Sequence, residues 1–132
     1  MIGGNGERRT LVLAARYADE WNAVFLPPKE FARLNARLDV LLKGQGRELK
    51  SVRRSMMTGL HFAQTKNELE SKLSKAGQTV EKLRQRGVIV GVGQEIKRQL
   101  AEVEKTGLDR IMLQWLDLDD LKGLTALAKA VL

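Results

Sequence analysis

The chain reads as an α/β fold of parallel strands joined by crossover helices, and three observations predict it. Apolar periodicity switches repeatedly between the three-and-four spacing of helices and short β-branched or aromatic runs. The strand-like runs are separated by helical segments, the connection that parallel neighbours require. The run SMMTGLHF, residues 55–62, is apolar enough to be a strand covered on both faces, as parallel strands usually are.

Taken in order, Met1-Ile2 reads as the tail of a strand, running at once into Gly3-Gly4-Asn5-Gly6. Leu11, Ala14, Ala15 and Ala18 then keep a helical spacing, which predicts a short helix over 8–18. Trp21-Asn22-Ala23-Val24-Phe25-Leu26 is a strand candidate closed by Pro27-Pro28. Pro28 suits the first turn of a helix whose inner face is Phe31, Leu34, Leu38 and Leu41, stopped by Gly44 and Gly46. After the strand at 55–62, Leu69, Leu73, Ala76, Val80 and Leu83 form one amphipathic stripe interrupted only by Gly77, too short for a coiled coil. Gly87-Val88-Ile89-Val90-Gly91 is a tight apolar segment between glycines, outside the run of strands. A helix over 94–106 ends at Gly107. Residues 110–116 are the clearest strand, and 121–131 the closing helix. The sheet is therefore expected to have four strands. An α/β chain normally begins on a whole strand, so this one is expected to enter its fold partway.

Composition narrows the chemistry. The 132 residues include no cysteine and a single histidine, His61, which excludes disulfides, thiol catalysis and thiolate metal sites. A lone histidine also leaves little from which to build a metal centre or a Ser-His-Asp triad. No metal is expected. The net charge is +7, with the excess in the first half. The cations are scattered over polar helix faces without a stacking platform, so no nucleic-acid partner is expected. No apolar run reaches the ~20 residues of a membrane span and no secretion signal opens the chain, which makes the cytoplasm the simplest address. Asp117, Asp119 and Asp120 stand just before the closing helix, where capping explains them better than cation binding.

The glycine turn places bare backbone amides and a helix N-terminus at a strand end, an anion site that Arg8 or Arg9 can reinforce. Residues 2–11 (IGGNGERRTL) and 14–22 (AARYADEWN) together closely resemble the phosphate loop, helix and following strand of the luciferase-like monooxygenase family. Within it they look most like the branch that uses a deazaflavin coenzyme (coenzyme F420) or FMN. A second block agrees, residues 86–91 (RGVIVG) and 106–120 (TGLDRIMLQWLDLDD) resembling the end of those enzymes.

The resemblance implies the C-terminal half of a (β/α)8 TIM barrel, a partial barrel spanning 1–132 as one domain, since complete barrels run to ~250 residues. It implies that Gly3, Gly4, Asn5, Gly6 and Arg8 bind the cofactor's phosphate. Trp21, Asn22, His61 and Gln114 are the candidate substrate or pocket-lining residues, although for both tryptophans, Trp21 and Trp115, core packing is the better reading and for His61 a structural or exposed place is. No residue stands out as an obligatory acid, base or nucleophile, which fits chemistry carried by a cofactor. The activity implied is that of a flavin- or deazaflavin-dependent oxidoreductase or monooxygenase, incomplete on its own. The competing reading is a non-catalytic half-barrel remnant that assembles with itself. Both expect a partner, a homo-oligomer or a chain supplying the other half barrel, because the sheet would have two open edges and an open apolar inner face.

Overall fold

The computed structural model describes residues 1–132. In chain order, β1 (Ile2–Gly3), α1 (Thr10–Tyr17), β2 (Glu20–Val24), α2 (Pro28–Gly44), a short 3-10 turn (Leu49–Ser51) and β3 (Arg53–Phe62) are followed by α3 (Lys66–Lys75), α4 (Val80–Gln85), β4 (Ile89–Gly91), α5 (Gly93–Glu104), β5 (Arg110–Gln114) and α6 (Leu121–Val131). Every strand pair is parallel.

The register separates two roles for β3. Its residues 53–57 pair with β2 and its residues 55–59 with β5, so the shared stretch is bonded on both edges. β1, β2, β3 and β5 thus form a run of four neighbours, joined through helices. β4 pairs only with Leu60, His61 and Phe62, the part of β3 that outruns its other partners. The segment at 87–91, expected to lie outside the strands, therefore supplies a fifth.

Other boundaries move for local reasons. The stripe at 69–83 is two helices, because Gly77 takes φ +62 and the Thr79 side chain restarts the chain as a cap, accepting from the Lys82 N–H at 3.2 Å. α3 opens with a full capping box between Thr65 and Glu68. β2 ends at Val24, since Phe25 leaves the extended region altogether, at φ +51. α1 starts at Thr10 after a turn over 7–9.

Strand alternation sends one set of side chains to the helices and the other to the concave face. Trp21, Ala23 and Met56 point toward α1 and α2 and are fully buried with Leu11, Phe31, Leu38 and Leu42. Burying a side chain of that size stabilises the fold by roughly 1.5–3 kcal/mol, so this cluster carries much of the stability. Trp21 stacks on Phe31, centroids 5.5 Å apart and planes 17° from parallel. Two smaller clusters lie beneath α3 and α4 and between β4, α5 and α6.

The concave face contradicts the expected open apolar surface. In register it carries Glu20, Asn22, Arg53, Ser55, Arg110 and Gln114 beside Val24, Met57 and Met112. Arg110 reaches over β3 to donate to Glu20 at 2.5 Å, and Asn22 donates to Ser55 Oγ at 2.9 Å. Trp21, Ala23 and Met56, apolar members of these strands, are taken by the helix side. No helix is long and apolar enough to cross a membrane.

Candidate functional site

Two features stand at the C-terminal ends of the strands, the end where barrel enzymes place their chemistry. The first is the glycine turn after β1. Gly4 donates its N–H to Asn22 O at 2.9 Å, and its carbonyl accepts the Trp21 indole N–H at 2.9 Å. Asn5 pairs with Val24 as a further ladder residue would, its Nδ2 donating to Val24 O at 2.7 Å and its Oδ1 accepting Val24 N–H at 2.9 Å. Gly4 has φ +118, and a Cβ there would lie 3.4 Å from Thr10 Oγ1. Glycine is needed at this position for its backbone conformation more than for space.

With the turn pinned, the backbone N–H groups of residues 5–10 donate to no other group of the chain, and the first to do so is Leu11, to Gly6 O at 3.0 Å. Six adjacent donors ahead of a helix N-terminus are thus left without an acceptor in the chain, the kind of backbone an anion can engage. Arg8 and Arg9 are exposed beside it. The one carboxylate in the turn, Glu7, is drawn away by Arg33 of α2, Nη1 to Oε1 2.5 Å. The residues present fit a phosphate group.

The second feature is a cavity of about 580 Å³ over the ends of β3 and β5, in the size range of small-molecule sites. His61 and Gln114 line it, together with Phe25 and Trp115. Gln114 Nε2 donates to Met57 Sδ at 3.2 Å. His61 is exposed at the cavity mouth, and partial desolvation there lowers its pKa below the ordinary value, so the neutral imidazole, with one donor and one acceptor nitrogen, predominates at pH 7. The Trp115 indole N–H donates to Asp117 O at 2.7 Å, fixing the ring. The left-handed conformation of Phe25 is a genuine outlier for an aromatic residue. Its ring occupies the space beside Gly59 of β3, where a Cβ would come within 3.2 Å of Phe25 Cε1.

The structure thus gathers Gly3, Gly4, Asn5, Gly6 and Arg8 in one turn, and His61 and Gln114 in one cavity. No residue of the turn lines the cavity. Trp21 and Asn22 belong to neither: Trp21 is fully buried on the helix side, and Asn22 is 7% exposed with its amide on Ser55. The Asn5 side chain is consumed by Val24, which makes it a support of the cradle. Trp115 does both: it packs, partly buried, against the cluster of Phe62, Ile89, Ile96 and Leu127, and it lines the cavity. Phe25 and Gly59 were not anticipated, although a glycine inside an apolar strand is a signal of close approach. Asp120 caps α6, accepting the Gly123 N–H at 2.8 Å.

No family model and no curated protein matches the sequence. Solved structures match the fold. The coenzyme F420-dependent tetrahydromethanopterin reductase of Methanopyrus kandleri superposes with a TM-score of 0.75 at 15% identity, over 98% of this chain and 48% of that one. EDTA monooxygenase of Chelativorans sp. BNC1 gives 0.71 at 13% identity, over 98% and 43%. A long-chain alkane monooxygenase gives 0.70 at 11%, over 92% and 38%. The chain spans less than half the length of these solved chains. The likeness defines a class by fold alone: the chain has the architecture of part of the parallel α/β barrels of these solved structures, the fold that the resemblance of the glycine turn and of the block at 106–120 led one to expect.

Proposed function

We propose that the chain is the C-terminal portion of a luciferase-like flavin- or deazaflavin-dependent oxidoreductase or monooxygenase, and that it contributes the loop holding the cofactor's phosphate. The run of unengaged N–H groups at residues 5–10 carries this reading, since FMN and coenzyme F420 both bear a phosphate. When bound, such a cofactor supplies hydride transfer or oxygen activation. The part of this chain is to bind and orient: Gly3, Gly4 and Gly6 let the backbone approach the phosphate, Arg8 adds charge, and Asn5 and Trp21 hold the turn on β2. His61 and Gln114 offer neutral polar contacts to whatever enters the cavity.

The other half barrel is part of this reading. β1 and β5 are each bonded along one edge only, and exposed apolar side chains flank both open edges, Leu13 and Tyr17 on α1, Leu121 and Leu124 on α6. Closure by a second copy would bring α1 beside α6. Their exposed charges, Arg16 against Lys122 and Lys129, have the same sign, and neither helix contains an acidic residue. This favours a complementary half with acidic flanks over a self-assembling remnant. Sedimentation at low salt tests it: a tight stoichiometric dimer of this chain alone would reverse the preference.

The cofactor reading is tested by titrating FMN and coenzyme F420 against the wild type and Gly4→Val. Weak binding to the wild type, displaced by inorganic phosphate and lost in the variant, is the expected result. Equal binding by both proteins would reduce the loop to a turn.

A further inference from the structure

We propose that the cavity over β3 and β5 binds an amphipathic anion, an apolar chain or ring ending in a single carboxylate, sulfonate or phosphate. Taking this molecule as the substrate rests on the oxidoreductase reading; its binding does not.

The apolar part follows from the lining. Phe25, Leu69, Leu83 and Val88 present a greasy wall, and the Phe25 ring is held there by a backbone conformation that an aromatic residue does not adopt without compensation. The absent side chain of Gly59 leaves the room this ring occupies. Strain kept at a cavity wall, where a relaxed loop would serve packing as well, points to a surface shaped for contact.

The anionic part follows from the charges. Lys72 on α3 and Arg86 at the end of α4 both line the cavity. Leu69, Lys72 and Ala76 fall on one helical face, so the cation and the greasy wall belong to the same surface. Neither Lys72 nor Arg86 is within salt-bridge distance of a carboxylate, whereas Lys66 and Arg84 nearby are paired with Glu95 and Glu102. Asp117, beyond β5, is the single carboxylate of the lining, and His61 adds no charge while neutral. The wall is therefore net cationic, and a concave surface with low-dielectric walls concentrates that potential. A guanidinium and an ammonium with free donors hold a carboxylate or phosphate by charge-assisted hydrogen bonds.

The test uses the full chain and three probes of equal length, octanoate, octanol and octylammonium, titrated by calorimetry against the wild type, Lys72→Gln, Arg86→Gln and Gly4→Val. Octanoate is expected to bind the wild type at least about tenfold more tightly than octylammonium. Lys72→Gln and Arg86→Gln should each weaken octanoate several-fold while leaving octanol unchanged, and Gly4→Val should leave all three unchanged. Both cations are exposed, so their replacement does not threaten folding. Head-group-independent binding, no binding of any probe, or octanoate lost in Gly4→Val and kept in the other two variants would each overturn the proposal; the last outcome would move the anion to the glycine turn. Because Gly4→Val acts in the glycine turn, which contributes no residue to the cavity, failure here and failure of the cofactor reading are separable.

Discussion

The two ends of the sheet are built on opposite plans. At the N-terminal end, polar groups are spent on one another. Arg54, 6% exposed, donates to Asp39 at 2.5 Å, to Asn35 at 3.0 Å and to the carbonyls of Leu49 and Val52. Its backbone N–H donates to the Asp109 carboxylate at 2.7 Å, while Asn35 donates onward to Thr106 O at 3.0 Å. The Arg54 side chain thereby ties α2 and the 3-10 turn to β3, and its backbone N–H ties β3 to the entry of β5. At the C-terminal end, six N–H groups, the unpaired cations Arg8, Arg9, Lys72 and Arg86, and a neutral imidazole are left available. The contrast teaches that this half barrel locks one rim and keeps the other chemically open, the division of labour expected of a barrel scaffold.

The largest effect should come from the locked rim. Arg54→Ala leaves Asp39 and Asn35 without their partner and is expected to cost about 3–5 kcal/mol, read as a drop in the urea midpoint, with phosphate affinity unchanged in the molecules that remain folded. A variant that stays stable but loses ligand would break the contrast. Gly87→Ala comes next. A Cβ there would lie 2.4 Å from the Leu26 carbonyl carbon, at φ +76, so a loss of about 2–4 kcal/mol is expected in thermal unfolding. Such a loss would show that even the open rim has one rigid seam, where the segment before β4 passes the end of β2.

Asn5→Ala removes both bonds to Val24 at an exposed site and should cost about 1 kcal/mol. Its sharper readout is hydrogen exchange: the Val24 amide should exchange faster and FMN affinity should fall, whereas the Arg54 amide should be unaffected. If Val24 protection is unchanged, Asn5 is not what holds the cradle.

The smallest effect is pH dependence. The Ser55 hydroxyl and then the Arg110 guanidinium hold the Glu20 carboxyl below its ordinary pKa against the opposing effect of burial. Ser55 has one hydroxyl proton, and Trp21 O at 3.3 Å competes for it, so the ion pair with Arg110 is the steadier cause. A lowered folded pKa means stability that is present above the unfolded value of about 4.3 and is lost as pH falls through the folded value. His61 acts in the same direction from about pH 6.5 downward, because its folded state resists protonation. Unfolding curves taken from pH 7 to pH 3 should show a shallow decline near pH 6 that His61→Gln removes and a later one that Glu20→Gln removes. A stability maximum on the acid side would contradict both.

Most of the element order, the glycine turn and the cap before α6 were legible in the amino-acid sequence, because periodicity, capping chemistry and the residues of a turn act over a few neighbours; the partial barrel followed from the resemblance, and the Thr79 cap that divides the stripe at 69–83 was not read. The alternation of Trp21 and Asn22 across β2 is of that kind, and so is the capping by Asp120. What the tertiary structure alone decided depends on register between distant segments. Pairing of Ile89–Gly91 with the end of β3 made a fifth strand from a segment too short to declare itself. The reach of Arg110 across β3 to Glu20 made the concave face polar where local pattern suggested an apolar one. The left-handed turn at Phe25 lets its ring lie against Gly59, and α3 and α4 form one wall of the cavity beside them. Leu60 and Ile89, paired between β3 and β4, are 29 positions apart, and Glu20 and Arg110 are 90 apart; no periodicity within one segment encodes which distant segment it will meet.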